Sequence, residues 1–121
     1  MVRRKLETSL EDVILRAMEE KKADEITVLD LSRIENAICE KFIICHGSSN
    51  TQIKAIANFI SENTQKKVKE KPWHNEGDEN SEWILLDYVS VVVHVFQKQA
   101  RIYYDIENLW GDAQIKKIKT S

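Results

Sequence analysis

Gly47-Ser48-Ser49 lies between an apolar run, Phe42-Ile43-Ile44-Cys45, and a helical pattern that starts at about Asn50. Backbone N–H groups in such a turn can cradle a phosphate. The same serines can instead cap the helix by accepting from its first amides, and capping is the commoner use. The chain carries no G-x-x-x-x-G-K-[ST] run, so this turn is not a P-loop. Cys45 and His46 are adjacent on a strand and point to opposite faces, so they do not readily share a metal. Cys39 adds no zinc spacing, and a buried Cys45 would behave as a small hydrophobe rather than a nucleophile. No metal, no cofactor and no catalytic residue is expected. His74 sits in a polar segment and is read as solvated. Arg101 and Asp105 are i, i+4 partners on the last helix, worth a few tenths of a kcal/mol as a surface pair.

The elements that hold these residues follow from periodicity. Leu10, Val13, Ile14, Ala17 and Met18 make one helical face, opened by Thr8 and Ser9, with Thr8 and Glu11 spaced as a capping box. Glu25–Leu31 and Phe42–Cys45 read as strands. A helix runs from Asn50 to Gln65, with Ile53, Ile56, Ala57 and Ile60 inward. Lys66–Lys71 reads as a charged, extended edge piece, and Pro72 with His74–Ser81 as a loop with a turn at Gly77-Asp78. Trp83–Tyr88 and Val91–Phe96 form a hairpin about Val89-Ser90. A last helix, Lys98–Leu109, should turn Ile102, Tyr103, Ile106, Leu109 and Trp110 inward or half inward, with Gly111 as its cap. Residues 1–113 are expected to form one domain, with 114–121 a basic, frayed tail. The fold class is α+β, a mixed sheet with packed helices.

The two-residue turn fixes the hairpin register as Tyr88 opposite Val91, Leu86 opposite Val93 and Ile84 opposite Val95. One face is then Ile84, Leu86, Tyr88, Val91, Val93 and Val95, almost wholly aliphatic, and belongs under helices. The other is Trp83, Leu85, Asp87, Val92, His94 and Phe96. Asp87 and His94 become diagonal neighbours within reach of each other. This second face is either another core layer or a binding surface, since interfaces are rich in Trp, Tyr and Phe with a few polar anchors. Tyr103, Tyr104 and Trp110 can extend it.

Composition bounds the function. The chain has 121 residues, 18 Lys and Arg against 20 Asp and Glu, and a net charge of −2. That balance argues against a protein that grips nucleic acid mainly through phosphates. Two cysteines cannot make a disulfide scaffold and suit a reducing compartment. No apolar run is long enough to span a bilayer, and the first residues match neither a signal nor a transit peptide. A cytoplasmic protein is expected.

Nucleotidyltransferases combine a Gly-Ser turn before a helix, a pair of metal-binding acids at D-x-D spacing, and a third acid on a later strand. Gly47-Ser48 and Asp87 resemble the first and last parts. Ile56-Ala57-Asn58-Phe59 has no carboxylate where the pair should fall. Two-metal transfer needs several oxygens to hold Mg²⁺, so this chemistry is expected to be absent. A nucleotide-binding or nucleotidyltransferase-like enzyme remains the alternative reading.

Three blocks together resemble the ribosomal silencing factor, or Iojap, family over about Leu10–Ala113. Phe42-Ile43-Ile44-Cys45-His46-Gly47-Ser48-Ser49 is similar to its F-[VI]-I-C-x-G-x-S block. Glu76-Gly77, followed by the Trp83–Tyr88 and Val91–Phe96 strands, is similar to its E-G…W-[IV]-L-[LI]-D block and the V-[VI]-V-H-V-[FM] that follows. Arg101-x-x-Tyr104-x-Ile106-Glu107-x-Leu109-Trp110-Gly111-Asp112-Ala113 is similar to its closing block. The family usually has Gly and an acid at the hairpin turn; Val89-Ser90 departs from that.

The resemblance implies a nucleotidyltransferase-like fold without transferase activity. It implies binding to the large ribosomal subunit, chiefly its fourteenth protein, which sterically blocks small-subunit joining and represses translation when nutrients are scarce. Some members pair as homodimers. No membrane and no sequence-specific nucleic acid is implied as a partner. The residues expected to meet the ribosomal protein are Trp83, Leu85, Asp87 and His94, with Tyr104, Glu107 and Trp110 beside them. Trp83 is the strongest, because buried Trp anchors dominate interface energies.

Overall fold

The computed structural model describes residues 9–77 and 82–119. Helix α1 (Leu10–Glu20) begins at Ser9, whose hydroxyl accepts from the Asp12 amide at 3.1 Å. Thr8, the other half of the expected capping box, lies outside the described residues. Glu11 instead binds Lys41 Nζ at 2.6 Å and ties the start of the helix to the sheet. The remaining elements are β1 (Asp24–Asp30), β2 (Lys41–Gly47), α2 (Asn50–Val68), β3 (His74–Glu76), β4 (Trp83–Asp87), β5 (Val91–Gln97), α3 (Lys98–Tyr104), α4 (Ile106–Leu109) and β6 (Gln114–Lys117). Among the described residues the strands form one six-stranded mixed sheet in the order β3-β4-β5-β2-β1-β6, with only β2 and β5 parallel. Among the described residues, no helix is long and apolar enough to cross a membrane.

The hairpin register is the expected one: Ile84 faces Val95, Leu86 faces Val93, and the Tyr88 amide donates to the Val91 carbonyl at 2.8 Å. Its turn is a γ-turn. Val89 has φ 77°, and the Ser90 amide donates to the Tyr88 carbonyl at 3.0 Å. That conformation is rare and strained, most of all for a β-branched side chain. The Asp87 carboxylate supports it by accepting from the Val89 amide at 2.8 Å.

The sheet divides the core in two. On one face, Ile43, Cys45, Ile84, Leu86, Tyr88, Val91, Val93 and Val95 pack under Ile14, Met18, Ile53, Ile56 and Ile60 of α1 and α2. Tyr88 and Thr64 hydroxyls meet at 2.9 Å inside this layer. On the other face, Leu29, Leu31, Phe42, Ile44, Val92 and Phe96 pack against Ala100 and Ile106 of α3 and α4.

Several expectations need correction. Lys66–Lys71 is not an extended piece: α2 continues to Val68 and stops at Lys69, which is left-handed at φ 59°. His74–Glu76 is a strand rather than a loop, because β4 offers it an open edge (His74 opposite Asp87, Glu76 opposite Leu85). Asp78 of the expected turn lies outside the described residues. The tail is not frayed from Gln114: β6 pairs antiparallel with β1, Lys117 opposite Thr27. The last helix breaks at Asp105, φ 47°, into α3 and α4. Helix α3 buries Ala100 and Arg101 and so turns Ile102 and Tyr103 to water, and after the break α4 buries Ile106 and leaves Leu109 exposed.

Candidate functional site

The Gly47-Ser48-Ser49 turn is filled from within. Ser49 caps α2 by accepting from the Gln52 amide at 3.1 Å, and the Gln52 side-chain oxygen accepts from the Ser48 amide at 2.7 Å and its hydroxyl at 3.0 Å. A Cβ on Gly47 would stand 2.9 Å from that same oxygen, so a larger residue there would push the Gln52 side chain out of the turn. The Ser48 amide and hydroxyl, two donors that could have met a phosphate, are spent on Gln52. Cys45 is fully buried, which pushes its thiol up to about 12, and an inert thiol follows. Among the described residues, no group of three or more His, Cys, Asp and Glu could hold a metal.

Helices α3 and α4 roof only part of the second face. Helix α3 lies over β5 and β2, and Arg101 fastens it to β1. Its guanidinium donates to the Glu25 carbonyl (2.8 Å), Thr27 Oγ1 (3.1 Å), His46 Nδ1 (3.0 Å) and both Glu107 oxygens (3.3 and 2.9 Å). This overturns the Arg101–Asp105 pairing: Asp105 is the left-handed break and accepts from Asn108 instead, at 2.6 Å. Burial and the Arg101 charge both press the His46 pKa down. A cleft of about 300 Å³, lined by Glu25, His46, Lys98, Ile102 and Asp105, runs beside the Arg101–Glu107 pair.

The β3–β4 side of the same face is left open. Trp83, Leu85 and Asp87 are half-buried there, and β3 adds His74 and Glu76, exposed and 2.8 Å apart. The Trp83 ring lies 4.8 Å from Phe96 below and 4.8 Å from Tyr104 of α3. Its indole Nε1 donates to His94 Nδ1 at 3.0 Å. Trp110 sits half-buried with its ring edge-on to Phe42 at 6.0 Å. Tyr103 is 81% exposed, Leu109 75% and Tyr104 51%, which gives α3 and α4 an apolar surface of their own.

The seven expected contact residues therefore divide. Trp83, Leu85, Asp87, Tyr104 and Trp110 all reach the surface to some degree, on the second face or the helices that border it. His94 does not: it is 4% exposed, and burial pushes its imidazole down to about 4. It is not within a hydrogen bond of Asp87, whose carboxylate turns to Val89. Glu107 is committed to Arg101. Sequence reasoning missed the contribution of β3, whose three polar residues carry no strand pattern, and the outward turn of Leu109.

The family model for "Ribosomal silencing factor during starvation" matches residues 5–121. The chain belongs to the ribosomal silencing factor family. A ribosomal silencing factor from Halalkalibacterium halodurans is 41% identical over 99 residues, 82% of this chain and 83% of that one. A crystal structure of a Chromobacterium violaceum protein superposes with a TM-score of 0.77 at 37% identity, covering 84% of this chain and 83% of that one. A more distant relative from Mus musculus, 24% identical over 101 residues (82% of this chain, 44% of that one), is named for mitochondrial assembly of the ribosomal large subunit.

Proposed function

We propose that this silencing factor binds the large ribosomal subunit through its fourteenth protein and prevents the small subunit from joining. It acts by occupancy in the cytoplasm, when nutrients are scarce, and catalyses nothing. The observation that carries this reading is the half-roofed second face. A soluble domain seldom leaves a Trp-centred strip open beside exposed Tyr and Leu unless something docks there. The strip carries Glu76 and Asp87, and the chain is net acidic. Such a strip suits a basic ribosomal protein, because complementary charge steers encounter and fixes register. The names carried by relatives support a ribosomal target, and the murine relative's name supports the large subunit. The filled Gly-Ser turn and the missing acid pair weigh against the enzyme alternative.

Sucrose-gradient analysis of subunit joining tests the proposal. Added protein should travel with the large subunit and lower the joined-ribosome peak. Unhindered joining at saturating protein would refute the role.

A further inference from the structure

His94 sits under the docking strip without reaching it. Its ring is sandwiched in aromatic surroundings, 4.6 Å from Phe42 and 5.7 Å from Trp83 between centroids. Because Nδ1 accepts from the Trp83 indole, the neutral ring carries its proton on Nε2. That Nε2 is buried and has no hydrogen-bond partner among the described residues. A buried donor without an acceptor is destabilising, so an apolar ring of similar shape would serve the core better. The imidazole must be worth keeping for its other nitrogen.

We propose that His94 is a positioning residue for Trp83: it pins the indole in the orientation that the partner meets, and touches no partner atom itself. This rests on the docking reading given above. Trp83 is held from below by Phe96, from above by Tyr104, and at its polar tip by His94. An anchor fixed before encounter loses less side-chain freedom on binding. Burial keeps the imidazole neutral down to about pH 4, so Nδ1 stays an acceptor under ordinary conditions.

The test compares His94→Phe with His94→Asn, whose side-chain oxygen can stand where Nδ1 stood; His94→Leu replaces the first variant if the phenyl ring does not fit. The free protein reports through its indole N–H resonances, one for each of Trp73, Trp83 and Trp110, with Trp83→Phe assigning the signal. In His94→Phe the Trp83 indole proton should move upfield and exchange faster. The melting temperature should hold or rise, yet large-subunit affinity should fall about three- to tenfold. His94→Asn should restore most of both the resonance position and the affinity. An unmoved indole proton, or full affinity with the proton moved, overturns the positioning claim. Wild-type protein that fails to bind the subunit while its indole proton stays downfield overturns the docking reading and the role given to His94 with it.

Discussion

Removing the Glu107 side chain should loosen the α3–α4 roof from the sheet. Arg101 has 9% side-chain exposure, and Glu107 meets two of its N–H groups from a position 25% exposed. Breaking a fully buried pair by deleting one partner costs about 3–5 kcal/mol, because the other charge is stranded. Water can reach the Glu107 side of this pair, and Arg101 keeps the Glu25 carbonyl, Thr27 and His46. A cost of about 2 kcal/mol is therefore expected for Glu107→Ala. In a chain of this size that is a fall of roughly 6–10 °C in melting temperature. Glu107→Gln keeps one acceptor oxygen and should cost about half as much. Urea unfolding followed by far-UV circular dichroism measures both. A loss below about 0.5 kcal/mol for Glu107→Ala would refute the reasoning and return Glu107 to the list of free surface carboxylates.

Trp83→Ala should weaken large-subunit binding by about 2 kcal/mol, near thirtyfold, if it is the anchor; co-sedimentation of a variant shown to be folded would reveal it. Val89→Gly should stabilise the protein by about 0.5–1 kcal/mol, since relief of a left-handed β-branched residue exceeds the added chain entropy. Denaturant midpoints decide that one, and a lower midpoint would mean the turn holds no strain. Acid should destabilise the fold through His94. Its folded pKa of about 4 lies below the ordinary 6.5, so the unfolded chain binds the proton first. The stabilisation is complete above pH 6.5 and is lost as the pH falls toward 4, amounting to about 2 kcal/mol at pH 5. His46 shifts in the same direction and adds to it. The slope of unfolding free energy against pH should be visibly shallower in His94→Phe.

The hairpin was legible because its signal is local. Strict alternation on both sides of a two-residue turn sets register and face together, and the observed pairs follow it. Helices α1 and α2 were legible from their apolar faces. What could not be read is structure created by distant partners. His74–Glu76 is a strand only because β4 presents unpaired amides to it, and Gln114–Lys117 because β1 does. The last helix misled for a different reason. Its 3.6-residue period runs through Asp105, but a left-handed Asp resets the phase, and a buried arginine takes the place expected of a tyrosine. The site was half legible for the same cause: alternation tells which side of a strand a residue faces, and not how far a helix reaches across that side.

The sheet ends in two outer rims. One is β3, three residues long; the other is β6, which displays Lys116 and Lys117. Two β6 rims laid side by side would crowd ammonium groups against one another, and the opposite rim is too short to template a ribbon. Strand-to-strand joining of one molecule to the next is thereby discouraged at both ends of the sheet.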